Sequence, residues 1–158
     1  KIRRITTRQK KRANTFGFYA INGKSVVCFQ ERSKKENVIE VLRMVREDNK
    51  EKPIMMIIDN FQSHKAADVL KEAEKLRIYL VFLPSYSPDL NPIEFVWKSL
   101  KRLISEVFIE SAESLKGFIK EKTPDLFKNK GYAKGWLKKF SPLFSKFFSP
   151  TSCNLLAE

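Results

Sequence analysis

Two short apolar runs stand out from a chain otherwise patterned with alternating apolar and charged positions. The first, Ile54-Met-Met-Ile-Ile58, follows Pro53 and stops abruptly at Asp59-Asn60. Five residues are too few for a helix, and an unbroken run of this kind predicts a central strand buried on both faces. Ile78–Leu83 repeats the pattern. Between them, Ser63 is placed to cap a helix over Lys65–Leu76, with Ala66, Val69, Leu70, Ala73 and Leu76 facing inward. Strands joined by a helix are expected to be parallel, with a right-handed crossover. Upstream, Thr15–Ile21 and Ser25–Gln30 are rich in aromatic and β-branched residues and flank Asn22-Gly23, which predicts a tight hairpin. Lys35–Asn49 sets Val38, Ile39, Leu42 and Val45 at helical spacing, with Val41 and Met44 beside them. The predicted order is β-β-α-β-α-β.

Beyond Leu83 the prolines set the punctuation. Pro84–Pro88 is a loop, and Asn91-Pro92 has the form of an N-cap followed by a first helical residue. That helix is expected to run to about Val107, with Ile93, Val96, Trp97, Leu100, Leu103, Ile104 and Val107 as its apolar stripe. Ser111–Lys122 predicts another helix. From Thr123 onward, Gly131, Gly135, Pro142 and Pro150 should divide a Lys- and Phe-rich sequence into short helical pieces, with a frayed end after Pro150. Trp136, Phe140, Phe144, Phe147 and Phe148, interleaved with Lys134, Lys138, Lys139 and Lys146, allow a membrane-surface helix; Pro142 interrupts the stripe and favours packing against the core or a partner. Three regions follow: a basic arm over 1–12, an α/β domain over 13–125 and a basic, Phe-rich extension over 126–158.

Charge narrows the choice of partner. The 158 residues suit one domain, and 31 Lys and Arg against 18 Asp and Glu leave a net charge of +13. A domain this basic is expected to meet a polyanion, most commonly nucleic acid. Residues 1–12 hold seven basic side chains and no acid, so Arg3, Arg4, Arg8, Lys10, Lys11 and Arg12 are candidate phosphate contacts; the alternative is a solvated arm. Cys28 and Cys153 lie far apart, which suggests a reducing, cytoplasmic setting with no disulfide framework. The sequence has no run of 18 apolar residues and no visible signal peptide, so no membrane partner is expected. It begins without Met and in mid-pattern, as a fragment or processed product would.

The candidate chemistry rests on two acids. Asp59 falls where a buried strand ends, the position at which ligands gather in open α/β sheets; Asp-Asn there is equally a common turn starter. Glu94 is the third residue after Asn91, which is also the capping-box position. Nucleic-acid phosphodiester chemistry is commonly run by two divalent ions about 3.5–4 Å apart, held by carboxylates converging from rigid elements. Lys98, Lys101 and Arg102 follow Glu94 at helical spacing on one side of the helix, as a phosphate track beside a metal site would require; the alternative is a surface Glu94–Lys98 pair. His64 is the only histidine, with a possible contact to a phosphate or to a metal-bound water and a structural or capping role as the alternative.

Taken together, Ile57-Ile-Asp59-Asn60 with His64-Lys65, then Leu83-Pro-Ser-Tyr-Ser-Pro-Asp-Leu-Asn-Pro-Ile-Glu94 with Trp97 and Leu100-Lys101, resemble the catalytic core of DDE transposases. The nearest branch is the mariner-related one, including its prokaryotic insertion-sequence relatives, and the 34 residues between Asp59 and Glu94 match it. The resemblance covers roughly residues 10–125. It implies an RNase H-like mixed sheet flanked by helices, with Mg²⁺ or Mn²⁺ as cofactor. It also implies DNA partners (transposon ends and target), a homodimer, and a nucleoid-associated role. It makes Asp59 the second and Glu94 the third catalytic acid, both metal ligands, with Asn60 and His64 as accessories. The first acid of that pattern belongs on a strand upstream of the hairpin, where residues 1–12 offer none. The expectation is therefore a chain lacking its first strand and first acid, either a truncated transposase or a non-catalytic DNA-binding remnant. Another RNase H-like nuclease is a third reading, which the Asn-Pro-Ile-Glu segment opposes.

Overall fold

The computed structural model describes residues 3–6 and 11–144, with side chains placed over 11–138. The first strand, β1 (Arg3–Thr6), lies in the segment expected to be a basic arm. It pairs antiparallel with β2 (Arg12–Phe18), Arg3 opposite Thr15 and Thr6 opposite Arg12. Backbone pairing overrides the polar composition there, because a strand edge offers hydrogen bonds to any extended neighbour. β3 (Val26–Phe29) pairs antiparallel with the other side of β2, Phe18 opposite Val26.

The hairpin is therefore present, but its turn is not the tight Asn22-Gly23 one. Residues 19–25 form the connection, and none of the glycines among the described residues has a positive φ. Asn49, beyond the end of the following helix, captures this loop. Its Oδ1 accepts from the Lys24 N–H at 2.8 Å, and its Nδ2 donates to the Lys24 carbonyl at 3.0 Å. Gly23 is required by that approach, since a Cβ there would sit 2.4 Å from Asn49 Oδ1.

Helix α1 (Lys35–Asp48) buries Val38, Val41, Leu42 and Val45, the face its periodicity predicts. Strand β4 (Ile54–Ile58) pairs in parallel with β5 (Ile78–Phe82), residue for residue from Ile54–Ile78 to Ile58–Phe82. The helix between them is α2 (Ala67–Lys75), preceded by a 3₁₀ turn over Gln62–Lys65. Three expectations change here. Ser63 does not cap α2, whose N-terminus has no side-chain cap, because the 3₁₀ turn places Ser63 before the helix; Leu70 is 43% exposed. β4 is not buried on both faces: Met55 is 38% exposed, and β5 is its only strand partner among the described residues.

The strands thus form two small sheets, β1-β2-β3 and β4-β5, because no described strand bridges β2 and β4. The alternation along β2 and β3 assigns the layers. Phe16, Val26 and Cys28 face a cluster with α1, α2, β4 and β5; Ala13, Val27 and Phe29 face one with α3 and α4. Helix α3 (Ile93–Ser105) carries Trp97 against β2 so closely that a Cβ on Gly17 would meet Trp97 Cζ2 at 2.6 Å. Helix α4 (Ala112–Lys128) begins at its Ser111 cap and continues past the expected end at Lys122, through Pro124. Leu115, Ile119, Thr123 and Phe127 are buried on its inner face, and that burial outweighs the lost helical hydrogen bond. Helix α5 (Gly131–Phe144) replaces the expected short pieces. Trp136 is 7% exposed, and its Nε1–H donates to the Leu90 carbonyl at 2.5 Å. The side chains of Lys139, Phe140 and Phe144, together with all of residues 145–158, lie outside what is described.

Candidate metal centre

Asp59 follows β4 directly, and the ladder is closed just before it by the Leu83 N–H, which donates to the Ile58 carbonyl at 2.9 Å. The strand end therefore fixes the backbone from which the Asp59 side chain leaves. Its carboxylate is 26% exposed and lies 2.7 Å, Oδ1 to Nδ1, from His64, whose side chain is 3% exposed. The same Nδ1 is 3.2 Å from the Asp59 main-chain oxygen. A carboxylate and a carbonyl both accept, so Nδ1 carries the proton and donates to Asp59. The 3₁₀ turn over Gln62–Lys65 swings the ring back onto the strand end, and Phe61 packs its ring edge against the imidazole, centroids 5.8 Å apart. A ring this buried cannot contact a phosphate from solvent. His64 instead orients Asp59, and its signal in the sequence is the five-residue spacing across one tight turn.

Glu94 occupies the first turn of α3 and is partly buried. The capping box that its position also allows does not form. The Asn91 N–H, which a capping-box Glu94 would accept, donates instead to the Pro88 carbonyl at 2.9 Å, within a 3₁₀ turn over Pro88–Leu90. Asn91 closes the first turn of α3 with its backbone carbonyl, which accepts from the Glu94 N–H at 3.0 Å. The two loops that carry the acids are joined: Asn60 Nδ2 donates to Ser85 Oγ at 2.9 Å, linking the residue after Asp59 to the segment leading to Glu94. Nothing in the sequence pattern of Ser85 marked it as that partner.

The donor set suits a hard cation. Asp59 Oδ1 and Glu94 Oε1 are both shielded from solvent, where a carboxylate needs a compensating positive charge. Asn60 Oδ1 is a buried neutral oxygen with no hydrogen-bond partner in the structure. Oxygen donors of this type fit Mg²⁺ or Mn²⁺, and Mg²⁺ commonly takes one or two carboxylates and keeps several waters. Among the described residues, no group of three or more His, Cys, Asp or Glu side chains could hold a metal.

The cations divide unevenly. Lys98, Lys101 and Arg102 are exposed along α3, and Arg102 Nε pairs with Glu106 at 3.5 Å. Arg12 is exposed at the start of β2, and Lys11 is half-buried. Arg3 and Arg4 belong to β1, without described side chains; Arg8 and Lys10 lie outside the described residues. Among the described residues no helix is long and apolar enough to cross a membrane.

A family profile described as DDE superfamily endonuclease matches residues 2–116. The chain is 28% identical over 90 residues to the Transposable element Tc1 transposase of Caenorhabditis elegans, covering 56% of this chain and 33% of that protein. It is 39% identical over 54 residues to the Transposable element Tcb1 transposase of Caenorhabditis briggsae, covering 34% of this chain and 20% of that protein. The chain thus spans about a third or less of these curated relatives. Among solved structures, the Mos1 transposase catalytic domain with Raltegravir and Mg superposes with a TM-score of 0.69 at 20% identity, covering 85% of this chain and 75% of that one. A pre-cleavage Mos1 transpososome gives a TM-score of 0.67 at 21% identity, covering 90% of this chain and 47% of that one. The paired-end complex of Mos1 transposase with the left transposon end gives 0.64 at 22% identity, covering 80% and 41%. At these identities the likeness establishes the fold, which is RNase H-like.

Proposed function

The chain belongs to the DDE superfamily endonucleases, and from that premise we propose that it is the catalytic part of a DNA transposase, cutting at transposon ends and joining them to target DNA. The observation that supports this reading is the placement of two carboxylates with buried oxygens, Asp59 at the end of β4 and Glu94 in the first turn of α3, inside the matched span. Asp59 and Glu94 are the proposed ligands of Mg²⁺ or Mn²⁺, with Asn60 Oδ1 as a neutral donor. When bound, such an ion supplies Lewis acidity at the phosphate and lowers the pKa of a coordinated water. The protein's part is positional. His64 fixes the Asp59 carboxylate through Nδ1–H, and the Asn60–Ser85 bond holds the two acid-bearing loops in one frame. Lys98, Lys101 and Arg102 on α3, with Arg12 and the basic residues 1–11, are the proposed contacts to the DNA backbone.

The proposal extends to a homodimer acting on paired ends and to a prokaryotic, cytoplasmic, nucleoid-associated setting. One observation favours a second reading, a DNA-binding remnant without catalysis: the acid cluster among the described residues is smaller than three. Nicking of transposon-end DNA separates the two. With Mg²⁺ and a chain extended at its start by a strand ending in Asp, the enzyme reading predicts cleavage that Asp59→Ala or Glu94→Ala abolishes while DNA binding persists. Cleavage that survives either substitution removes the site assignment.

A further inference from the structure

Tyr86 is the most exposed large hydrophobic residue among those described, at 102%, and it has a φ of +58°. A bulky residue in the left-handed region costs about 1–2 kcal/mol relative to glycine or an ordinary conformation. Neither burial nor packing of the ring offsets that cost. The loop around it is stiff: Pro84 and Pro88 fix φ on both sides, Ser87 Oγ donates to the Ser85 carbonyl at 3.3 Å, and Ser85 Oγ accepts from Asn60 Nδ2 at 2.9 Å. The backbone is thus braced where the ring projects into solvent, one residue from a bond that leads directly to Asp59-Asn60. On the other side of that bond, Phe61 follows Asn60 and is 52% exposed. Two aromatic rings therefore flank the loops that carry the acids. Lys65, Lys98 and Lys101 are exposed on the adjoining elements of a chain with net charge +13.

We propose that Tyr86, assisted by Phe61, is a stacking platform for an unpaired nucleobase next to the phosphate being processed. This rests on the DNA-acting reading above. A DNA strand offers an exposed aromatic ring one matching surface, the face of a base. In a duplex that face is covered by its neighbours, so the platform takes a base from a single-stranded or opened segment. Backbone strain at such a position fits ligand clamps, where the surrounding structure enforces a conformation that the fold does not need.

The test uses this chain in EDTA, so that metal binding by Asp59 and Glu94 has no part in the outcome. Fluorescence anisotropy compares a single-stranded oligonucleotide with a blunt duplex, and photocrosslinking uses the same single strand bearing 5-iodouracil. Tyr86→Ala is expected to weaken single-strand binding about tenfold, with duplex binding unchanged and Tyr86→Phe within about twofold of the parent. Tyr86→Gly should show the same loss of single-strand affinity together with a higher melting temperature, because glycine adopts the positive φ without strain; this separates a lost contact from a damaged fold. The crosslink should map to Tyr86 or Phe61. Single-strand affinity unchanged in Tyr86→Gly, or crosslinks confined to other residues, overturns the proposal. So does a Tyr86→Gly variant whose only defect is weaker self-association by sedimentation velocity, which would make the ring a protein contact.

Discussion

The two ends of the β4–β5 pair are built in opposite ways. At the end where the strands begin, Arg46 ties the last turns of α1 and α2 to the strand entries. Its guanidinium donates to the carbonyls of Leu76 at 2.7 Å, Asn49 at 3.0 Å, Lys52 at 2.8 Å and Arg77 at 2.8 Å. Asn49, beside it, donates to Val45 and holds Lys24 through both backbone groups. Arg77 there also has a positive φ, +53°, but it ends a helix, with its N–H on the Glu74 carbonyl and its own carbonyl on Arg46. At the end where the strands finish, Asn60 Oδ1, Ser63 Oγ and Asn91 Nδ2 are buried without hydrogen-bond partners in the structure, and Tyr86 projects from a strained turn. The first end is saturated and mechanical. The second keeps polar capacity in reserve, which is costly for stability and useful for a ligand.

That contrast orders the expected effects of mutation. Arg46→Met leaves five carbonyls, those of Asn49, Lys50, Lys52, Leu76 and Arg77, without their donor, and should cost about 3 kcal/mol in urea unfolding at unchanged m-value. A loss below about 1 kcal/mol would mean water replaces the guanidinium and the clamp is incidental. Asn49→Ala should cost about 2 kcal/mol by freeing the loop over residues 19–25. Hydrogen exchange should then quicken at the Lys24 amide, and unchanged protection would show that the loop is held by something else. At the other end the sign changes. Asp59→Asn keeps the shape and the His64 bond, and without metal it should leave stability within about 1 kcal/mol of the parent or raise it. A large loss would reclassify Asp59 as a structural residue.

The smallest effect concerns pH. Lys35 holds Asp68 at 2.5 Å and Arg43 holds Glu72 at 2.7 Å, linking α1 to α2 across their exposed faces. The hydrogen bond from each cation lowers the pKa of its carboxylate below the ordinary range. Both contributions are therefore present above the ordinary carboxylate pKa and disappear as pH falls through the lowered values. Lys35→Met with Arg43→Met should flatten the acid side of the stability profile slightly, because exposed pairs are screened by solvent. An acid limb as steep as the parent's would assign it to other carboxylates.

The saturated end was nearly invisible in the sequence, and the reserved end was partly legible. Helical periodicity placed α1 and α3, and the two apolar runs gave β4 and β5 with their parallel pairing, because burial imposes those patterns directly. Asp59 and Glu94 were singled out by where the runs stop and by the resemblance of Tyr86–Glu94, not by local chemistry, which left turn and capping roles open. The capping box gave way to the 3₁₀ turn, in which the Asn91 N–H donates to the Pro88 carbonyl. The tight hairpin failed because Asn49, a residue 26 positions from Gly23, captured the loop. Arg46 looked like any charge on a solvated helix face, since its partners are carbonyls brought together only by the fold. The left-handed turn at Tyr86 had no signal, because glycine or asparagine is the usual marker and neither is there.

The central claim is that Asp59 and Glu94 serve one divalent ion, and Mn²⁺ binding to this chain tests it most directly. Electron paramagnetic resonance of a Mn²⁺ titration should show a bound ion in the parent chain and weaker binding, by about tenfold or more, in both Asp59→Asn and Glu94→Gln. The double variant should bind more weakly than either single one, since each carboxylate contributes its own share to holding the same ion. Mn²⁺ affinity that is unchanged in either single variant, or a single variant that loses one ion while keeping a second at the parent's affinity, would contradict a shared site.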